Sequence, residues 1–499
     1  MNDPNGLFYA DGVYHLFYQY SGQHPSYQRI SWGHAVSRDL VHWQHLPVAI
    51  RATGADSAYS GSALVDHDNR TGLGADHPAC VAFFTNCRNC RTPEQRQTVD
   101  LAYSLDRGSH WRRYGGNPLL DTGRRAFDAP FVLRYPADRS FRMLVGEPLS
   151  WVDWREGTPS RFAVYRSADL LHWERVGQIG PFGKRTELWE VPVLVRIRVS
   201  GQPHVRKWVL IWSTVDRAGD RVRTGTRYLV GEFDGRTFRA DRRGARPRPL
   251  DWGPDCYAPL VWNDAPGAPV LIAWMSTWTY ARRLPTRAWS GGALTVPRRL
   301  GLARCGGHFE LTQTPVAALR TLRGAPALVT RAVLCDERRT VSEHALRNGT
   351  FEVLSSWSPG TARRFGFRLQ VGEREWTEVG IDAAAGTLYL DRRRSGTVSF
   401  APDFPAVYRA PMDIRGGRVA LRLLVDRSSV EVFAGNGRRV LTAQIFPGPR
   451  SVALEIFAKG GNATLEKMTV WPLASIWSSS SPEPATGNDI GLTANANPR

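Results

Sequence analysis

The sequence predicts an all-β chain: a five-bladed β-propeller over residues 1–300, followed by a C-terminal β-sandwich over 301–473. Three observations carry this reading. A short motif returns at a long, steady period through the first half of the chain. Aromatic residues (18 Trp, 15 Tyr, 20 Phe) and turn formers (47 Gly, 33 Pro) are both abundant, which favours short strands joined by turns. Beyond about residue 310 the motif stops, but short runs of alternating polarity continue.

The repeat comes first. Ser37, Asp39, Leu40, His42 and Trp43 return in the same spacing as Ser167, Asp169, Leu170, His172 and Trp173. Ser104, Asp106, His110 and Trp111 form a looser copy, and Phe233, Asp234, Gly235 and Phe238 a fainter one. The marker aromatics fall at 43, 111, 173 and 238, a period of 62–68 residues. Strand-like stretches precede them at 14–20, 99–103, 161–165 and 226–233. Each Ser-x-Asp unit reads as a turn, with the Trp packing after it. Strands at such a period, without helical stretches between them, suggest four-stranded blades. Five periods end near Pro297-Arg298-Arg299-Leu300.

The second half reads differently. Phe365, Phe367 and Leu369, then Leu388 and Leu390, then Val419, Leu421, Leu423 and Val425 alternate with polar or small residues. That pattern fits a sandwich of roughly 150 residues. The stretch 474–499 is Ser-, Pro- and Asn-rich without periodicity, and is expected to be disordered.

Composition excludes several classes of protein. Apolar residues are 42% and charged residues 22%, which rules out a largely disordered chain. No apolar run approaches the ~18–20 residues of a membrane-spanning helix, so membrane insertion is not expected. The net charge of +19 first suggests a nucleic-acid partner. Only four of the 65 basic residues are lysines, however, and the arginines are spread along the chain. That distribution argues against a phosphate-binding face. Six cysteines are too few for a disulfide scaffold. Cys87 and Cys90 have no second pair at zinc-site spacing, so ordinary thiols are expected. One disulfide among Cys80, Cys87 and Cys90 would fit an exported protein. The chain opens on Met-Asn-Asp-Pro-Asn-Gly with no signal peptide, which leaves extracellular and cytoplasmic locations both open.

Acidic residues share one phase of the repeat. Asp3 precedes Trp43 by 40 residues, Asp128 precedes Trp173 by 45, and Glu190 precedes Phe238 by 48. Each falls on the first strand of its blade, the strand that lines the central channel. Ser60 and Ser62 enter from the second blade at a similar phase, and Asp255 and Tyr257 from the fifth. Carboxylates brought together must titrate apart, and a pair that does so can run acid/base chemistry. Two such groups about 5 Å apart suit a retaining glycosidase.

Asn2-Asp3-Pro4-Asn5-Gly6, followed by His15-Leu16-Phe17-Tyr18-Gln19-Tyr20 and Trp32-Gly33-His34-Ala35, resembles glycoside hydrolase family 32, the β-fructosidases. Tyr59-Ser60-Gly61-Ser62, Trp189-Glu190-Val191-Pro192, Asp255-Cys256-Tyr257-Ala258, Pro297-Arg298-Arg299-Leu300 and the block Asp426–Phe433 extend the resemblance through nearly the whole chain. The resemblance implies a five-bladed propeller with a sandwich, acting on terminal β-D-fructofuranosyl residues of sucrose or fructans. It implies Asp3 as nucleophile and Glu190 as general acid/base. A separation of about 9 Å or more between their carboxyl groups would favour inversion or a misassigned acid, with Glu187 the next candidate. The resemblance also implies a sugar pocket drawn from Asn2, Gln19, Trp32, Tyr59, Ser60, Tyr257 and Trp278. It implies no metal and no organic cofactor.

Two departures within its motifs stand out. The acid/base block usually reads Glu-Cys-Pro, and here Val191 replaces the Cys. The family's Arg-Asp-Pro motif is missing, and the best local match is Phe127-Asp128-Ala129-Pro130. Anchored on Pro130, Asp128 falls at the motif's Arg and Ala129 at its Asp. Strand side chains alternate faces, so Asp128 serves as the third catalytic acid only where a bulge re-aims it. The competing readings are a fructan-binding homologue impaired by this motif, a fructosyltransferase, and a propeller glycosidase for arabinose-type sugars.

Overall fold

The computed structural model describes residues 1–477, apart from 23–28, 55, 76, 91, 148–159, 184–186, 219–220, 242–245, 287–291, 343–345, 347–348 and 415–416. The tail expected to be disordered lies, from 478 onward, outside the described residues. The described chain is nearly all β. Its helices are two short 3-10 turns, so among the described residues no helix is long and apolar enough to cross a membrane.

The N-terminal half is a succession of antiparallel meanders. Strands Pro4–Ala10, Val13–Tyr20, Ser31–Ser37 and Gln44–Ile50 form the first sheet in chain order. Ser57–Asp66, Ala79–Arg88, Arg96–Ser104 and Arg112–Arg113 form the second. Asp128–Arg134, Phe141–Gly146, Phe162–Ser167 and Glu174–Ile179 form the third. A fourth meander runs through Leu188–Val199, Gln202–Ala218, Arg221–Phe233 and Phe238–Ala240. It shares one sheet with a fifth unit, Tyr257–Val261, Val270–Trp274 and Arg298–Cys305, through a parallel pairing of Val199 with Leu302. The hairpin Arg298–Cys305 and His308–Pro315 belongs to this sheet, so a boundary at 300 would cut through a strand. The first strands of successive units pack against one another, and Tyr257–Val261 returns to Pro4–Ala10. Backbone bonds Tyr9 N to Asn263 O (3.0 Å) and Asn263 N to Leu7 O (3.0 Å) tie the last unit to the first.

The sequence repeat has a physical meaning in these sheets. Each copy is the turn leaving the third strand of its meander, so the first copy follows Ser31–Ser37 rather than the 14–20 stretch expected to precede it. Asp169 Oδ1 accepts the backbone N–H groups of Leu171 (3.0 Å) and His172 (2.8 Å), and its Oδ2 meets His172 Nδ1 at 2.7 Å. Ser167 Oγ accepts the Leu170 N–H at 2.8 Å, and Leu170 sits at φ 68°. Asp39 and Asp106 make the corresponding bonds in their own turns. The turn then delivers its aromatic onto the sheet before it. Trp111 packs edge-on to Phe17 of the first sheet (5.3 Å), and Trp173 edge-on to Phe83 of the second (5.8 Å). Trp43 of the first sheet stacks on Trp262, beside the fifth (6.3 Å). These wedges seal the apolar layers between neighbouring sheets.

The C-terminal half is a sandwich of two six-stranded sheets. One runs Leu328–Cys335, Asn462–Pro472, Phe351–Ser358, Val419–Asp426, Ser429–Ala434, Arg439–Gln444. The other runs Arg338–Ser342, Ala453–Lys459, Arg364–Val371, Trp376–Asp382, Thr387–Arg394, Val407–Pro411. Phe365, Phe367, Leu388, Leu390, Leu421 and Leu423, from the alternating runs, fill the core between them. Arg298 joins the halves. It is fully buried, and donates to Asp251 (3.0 Å), to Glu431 (2.6 Å) and to Thr442 (2.6 Å). Contrary to the expectation of ordinary thiols, Cys87 and Cys90 form a disulfide, while Cys80, Cys256, Cys305 and Cys335 are free.

The turn motif yields a stability prediction. Asp169→Ala removes the acceptor for two backbone N–H groups and releases Trp173 from its wedge. A loss of about 0.5–1.5 kcal/mol, the net worth of a typical hydrogen bond, is expected as a lowered thermal midpoint. An unchanged melting curve would show that the turn is dispensable.

Candidate active site

A cavity of about 380 Å³ opens where the first strands begin. Its lining includes Asp3, Asp128 and Glu190, so the three acids of shared phase do meet in one place. Asp3 stands immediately before the first strand of the first sheet, Asp128 opens that of the third, and Glu190 is the third residue of that of the fourth.

One backbone device recurs at this end. Two residues on the first strand face one on its neighbour between Asn5 and Phe8, Ala58 and Gly61, Asp128 and Phe131, Glu190 and Val193, and Tyr257 and Leu260. Each is a β-bulge, which breaks side-chain alternation locally. The residue after Asp128, Glu190 and Tyr257 takes positive φ: Ala129 at 54°, Val191 at 49° and Ala258 at 48°. Hydroxyls from the preceding units hold two of these amides. Thr85 Oγ1 accepts the Ala129 N–H at 2.8 Å, and Ser213 Oγ accepts the Ala258 N–H at 2.9 Å. In the first sheet Gly6 occupies the bulge at φ 53°, and a Cβ there would lie 2.5 Å from the Trp32 ring. The glycine of the Asn-Asp-Pro-Asn-Gly block is thus required by backbone and by packing together.

The bulge that Asp128 needs in order to be re-aimed is present, between Asp128 and Phe131. The acid of this segment in the cavity is Asp128 itself, Ala129 takes the left-handed position, and Phe127 is buried in apolar core. Asp128 Oδ1 is buried without a hydrogen-bond partner, an acceptor open to an incoming hydroxyl. Burial, then the charges of Glu190 and Asp3, hold the Asp128 carboxyl well above the usual range.

Asp3 is cradled by three side chains. Ser60 Oγ donates to its Oδ2 at 2.8 Å, and Asn2 Nδ2 to its Oδ1 at 3.0 Å. Gln19 Nε2 donates to Ser60 Oγ at 2.6 Å, while Gln19 Oε1 accepts from Asn2 at 2.9 Å. Burial raises the Asp3 pKa to about 6, against the pull of the Ser60 and Asn2 bonds, which favour the ionised form. Glu190 Oε2 accepts the Tyr257 hydroxyl at 2.5 Å. Burial, then the neighbouring Glu190, raises the Tyr257 phenol, so it remains a neutral donor.

Of the expected pocket residues, Asn2, Gln19, Tyr59, Ser60 and Trp278 line the cavity. Trp32 and Tyr257 do not. Trp32 is fully buried behind the wall, with its Nε1 donating to the Tyr59 carbonyl at 2.9 Å. Tyr257 is nearly as buried and reaches the site only through Glu190. Glu187 is not a lining residue, and its Oε1 lies 3.7 Å from Arg227. Asp255 sits at the right phase but is buried against Arg392. The sequence reading missed Gln95, Gln97 and Arg282, which also line the cavity. Gln97 Oε1 accepts the Phe127 N–H at 2.8 Å and so pins the strand start before Asp128. Neither glutamine lies in a motif. Arg282 comes from a 3-10 turn that carries no repeat signal. Among the described residues no group of three or more His, Cys, Asp or Glu side chains is placed to hold a metal ion.

Family comparisons agree with this geometry. Residues 1–315 match the glycosyl hydrolases family 32 N-terminal domain, and 318–472 match the family 32 C-terminal domain. The chain belongs to glycosyl hydrolase family 32. It is a glycosidase with an N-terminal propeller and a C-terminal β-sandwich. A levanase from Bacillus subtilis (strain 168) is 35% identical over 506 residues, spanning 99% of this chain and 71% of that protein. An extracellular exo-inulinase from Aspergillus awamori is 35% identical over 515 residues, covering 96% of this chain and 93% of that one. The crystal structure of exo-inulinase from Aspergillus awamori superposes with a TM-score of 0.86 at 33% identity, over 96% of each chain.

The Asp3 cradle predicts a pH effect. Ser60→Ala deletes a donor that favours the ionised carboxylate, so the Asp3 pKa rises from its value of about 6. The acid limb of kcat/KM should move to higher pH, and a limb that stays in place or moves down contradicts the assignment.

Proposed function

We propose that this family 32 chain hydrolyses terminal β-D-fructofuranosyl residues of sucrose or fructans by retaining double displacement, with Asp3, Glu190 and Asp128 in three separate roles. The five N-terminal units are read as five propeller blades over residues 1–315, followed by the sandwich over 318–472, with the cavity at one mouth of the channel. The observation that carries the reading is the convergence of three acids, held in different environments, on one cavity.

In the first step a carboxylate oxygen of Asp3 attacks the anomeric carbon of the terminal fructose. The bond to the leaving oxygen breaks, and Glu190 gives that oxygen its proton. In the second step Glu190 takes a proton from water, which attacks the same carbon and frees Asp3. Tyr257 keeps one Glu190 oxygen engaged throughout, which fixes the other toward the leaving group. Asp128 offers its unpartnered Oδ1 to a sugar hydroxyl and faces the developing oxocarbenium charge. Trp278 and Tyr59 supply aromatic surface for the apolar side of the ring, and Asn2, Gln19 and Ser60 orient its polar groups through the Asp3 cradle. A cavity of about 380 Å³ lies at the small end of the roughly 300–1,000 Å³ range of small-ligand sites, which suits a chain end.

Asp3→Asn and Glu190→Gln should each lower kcat on sucrose, levan and inulin by about 10³-fold or more, with the fold retained by circular dichroism. Methanolysis should give methyl β-D-fructofuranoside, the retained product, and the inverted anomer would refute double displacement. Asp128→Ala should cut turnover strongly, while Ala129→Asp should not raise it. A gain of activity in Ala129→Asp, with no loss in Asp128→Ala, would identify an impaired enzyme and favour the fructan-binding reading.

A further inference from the structure

The fifth unit reaches the site through two short segments, Asp255–Tyr257, which holds Glu190, and Trp278–Arg282, which lines the cavity, and both are fastened to one buried side chain of the sandwich. Arg392 lies on the strand Thr387–Arg394 and has no solvent exposure. Its Nη1 donates to Asp255 Oδ2 at 2.8 Å. Its Nη2 donates to the hydroxyls of Tyr280 (2.9 Å) and Tyr408 (3.0 Å), and its Nε to the Phe404 carbonyl at 2.7 Å. The guanidinium lies 3.8 Å from the Phe404 ring centroid. Asp255 in turn accepts the Gln444 N–H at 2.8 Å through Oδ2 and the Tyr280 hydroxyl through Oδ1.

Both partners lead to the reacting groups. Asp255 stands two residues before Tyr257, whose hydroxyl holds Glu190. Tyr280 stands between Trp278 and Arg282, both of which line the cavity. Its own backbone N–H returns to the Thr277 carbonyl at 3.3 Å, so the turn is closed around it. A planar guanidinium with several directed donors fixes orientation where an apolar contact would allow sliding. From this connectivity we infer that Arg392 is a positioning residue: the sandwich sets the aim of the general acid through Asp255 and Tyr257, and the shape of the pocket wall through Tyr280.

The inference rests on the proposed role of Glu190, so its test separates the two. Removing Arg392 alone would leave the Asp255 charge buried and unpaired, a large loss of stability in itself. The informative variant is therefore the neutral pair Arg392→Met with Asp255→Asn, beside Arg392→Lys, Glu190→Gln and the wild type. Each is assayed on sucrose and on an aryl β-D-fructofuranoside whose phenolate leaves with little protonation. A failing general acid costs more on sucrose than on the activated substrate, because only sucrose needs the proton. The neutral pair should lose about tenfold or more in kcat on sucrose and clearly less on the aryl substrate, with KM raised on both through Trp278 and Arg282. Arg392→Lys keeps the buried charge but not the fork, and should show the same pattern with smaller amplitude. It decides the matter where the neutral pair does not fold. Equal losses on both substrates in the folded Arg392 variants, or none, overturn the inference while Glu190→Gln still shows the leaving-group dependence. An absence of that dependence in Glu190→Gln itself overturns the underlying role of Glu190 instead.

Discussion

The geometry of this site depends on a β-bulge repeated at the same place in every inner strand. Regular strands send successive side chains to opposite faces, so a chemistry-bearing residue at the strand start has an even chance of facing the wrong way. The extra residue between Asp128 and Phe131, and between Glu190 and Val193, frees the strand end from the pairing that governs the rest of the strand. The cost is local backbone strain. Ala129, Val191 and Ala258 all sit in the left-handed region, and Val191 is β-branched, the residue type least suited to it. Strain of this kind, of order 1–3 kcal/mol per residue, persists only where the surroundings over-determine it. Here the determinants are visible: hydroxyls of Thr85 and Ser213 reach across from the preceding units to the strained amides.

The bulges bring like charges together, and environment then separates them. Asp3 keeps two side-chain donors on its carboxylate, so its pKa rises only to about 6 despite burial. Asp128 has one oxygen with no donor among the described residues and two acidic neighbours, and burial and those charges hold it well above the usual range. Glu190 receives a phenol that cannot ionise in its surroundings. Three carboxyl groups in one cavity thus have three different hydrogen-bond environments. That difference suits the proposed pairing of an anionic nucleophile with a proton donor.

Much of this was legible in the sequence, because periodic features leave periodic traces. The Ser-x-Asp turns and their aromatics showed the repeat, and the phase of Asp3, Asp128 and Glu190 within it showed that they would meet. The sandwich core was readable from alternation, as at Phe365, Phe367 and Leu369. The illegible parts are those without period or motif. Gln95, Gln97 and Arg282 reach the cavity from a hairpin edge and a 3-10 turn, where nothing in sequence spacing fixes direction. Trp32 was expected at the sugar because aromatic residues line such pockets. It is instead the back wall, since Gly6 leaves room for its ring there and its indole N–H is committed to Tyr59. At the disrupted third motif, alternation alone left the direction of Asp128 open, because the bulge that decides it has no sequence mark of its own.

The remaining landmarks of the resemblance lie at the junction of the two halves, and this explains why they are charged. Arg298 meets Glu431, Asp251 and Thr442, and Arg392 meets Asp255, Tyr280 and the half-buried Tyr408, all but the last with little or no solvent exposure. Buried ion pairs of this kind add little net stability over apolar contacts of equal volume. Their distinguishing property is direction. A forked guanidinium accepts its partners in one arrangement, and a displacement of an ångström leaves a buried charge unpaired. An apolar interface would hold the sandwich against the fifth sheet with less regard to register. The charged one ties Asp255 and Tyr280 to fixed points, and those residues stand within two positions of Tyr257, Trp278 and Arg282. On the proposed reading, the precision needed at the acid/base and the pocket wall is supplied from outside the cavity, by side chains that do not line it.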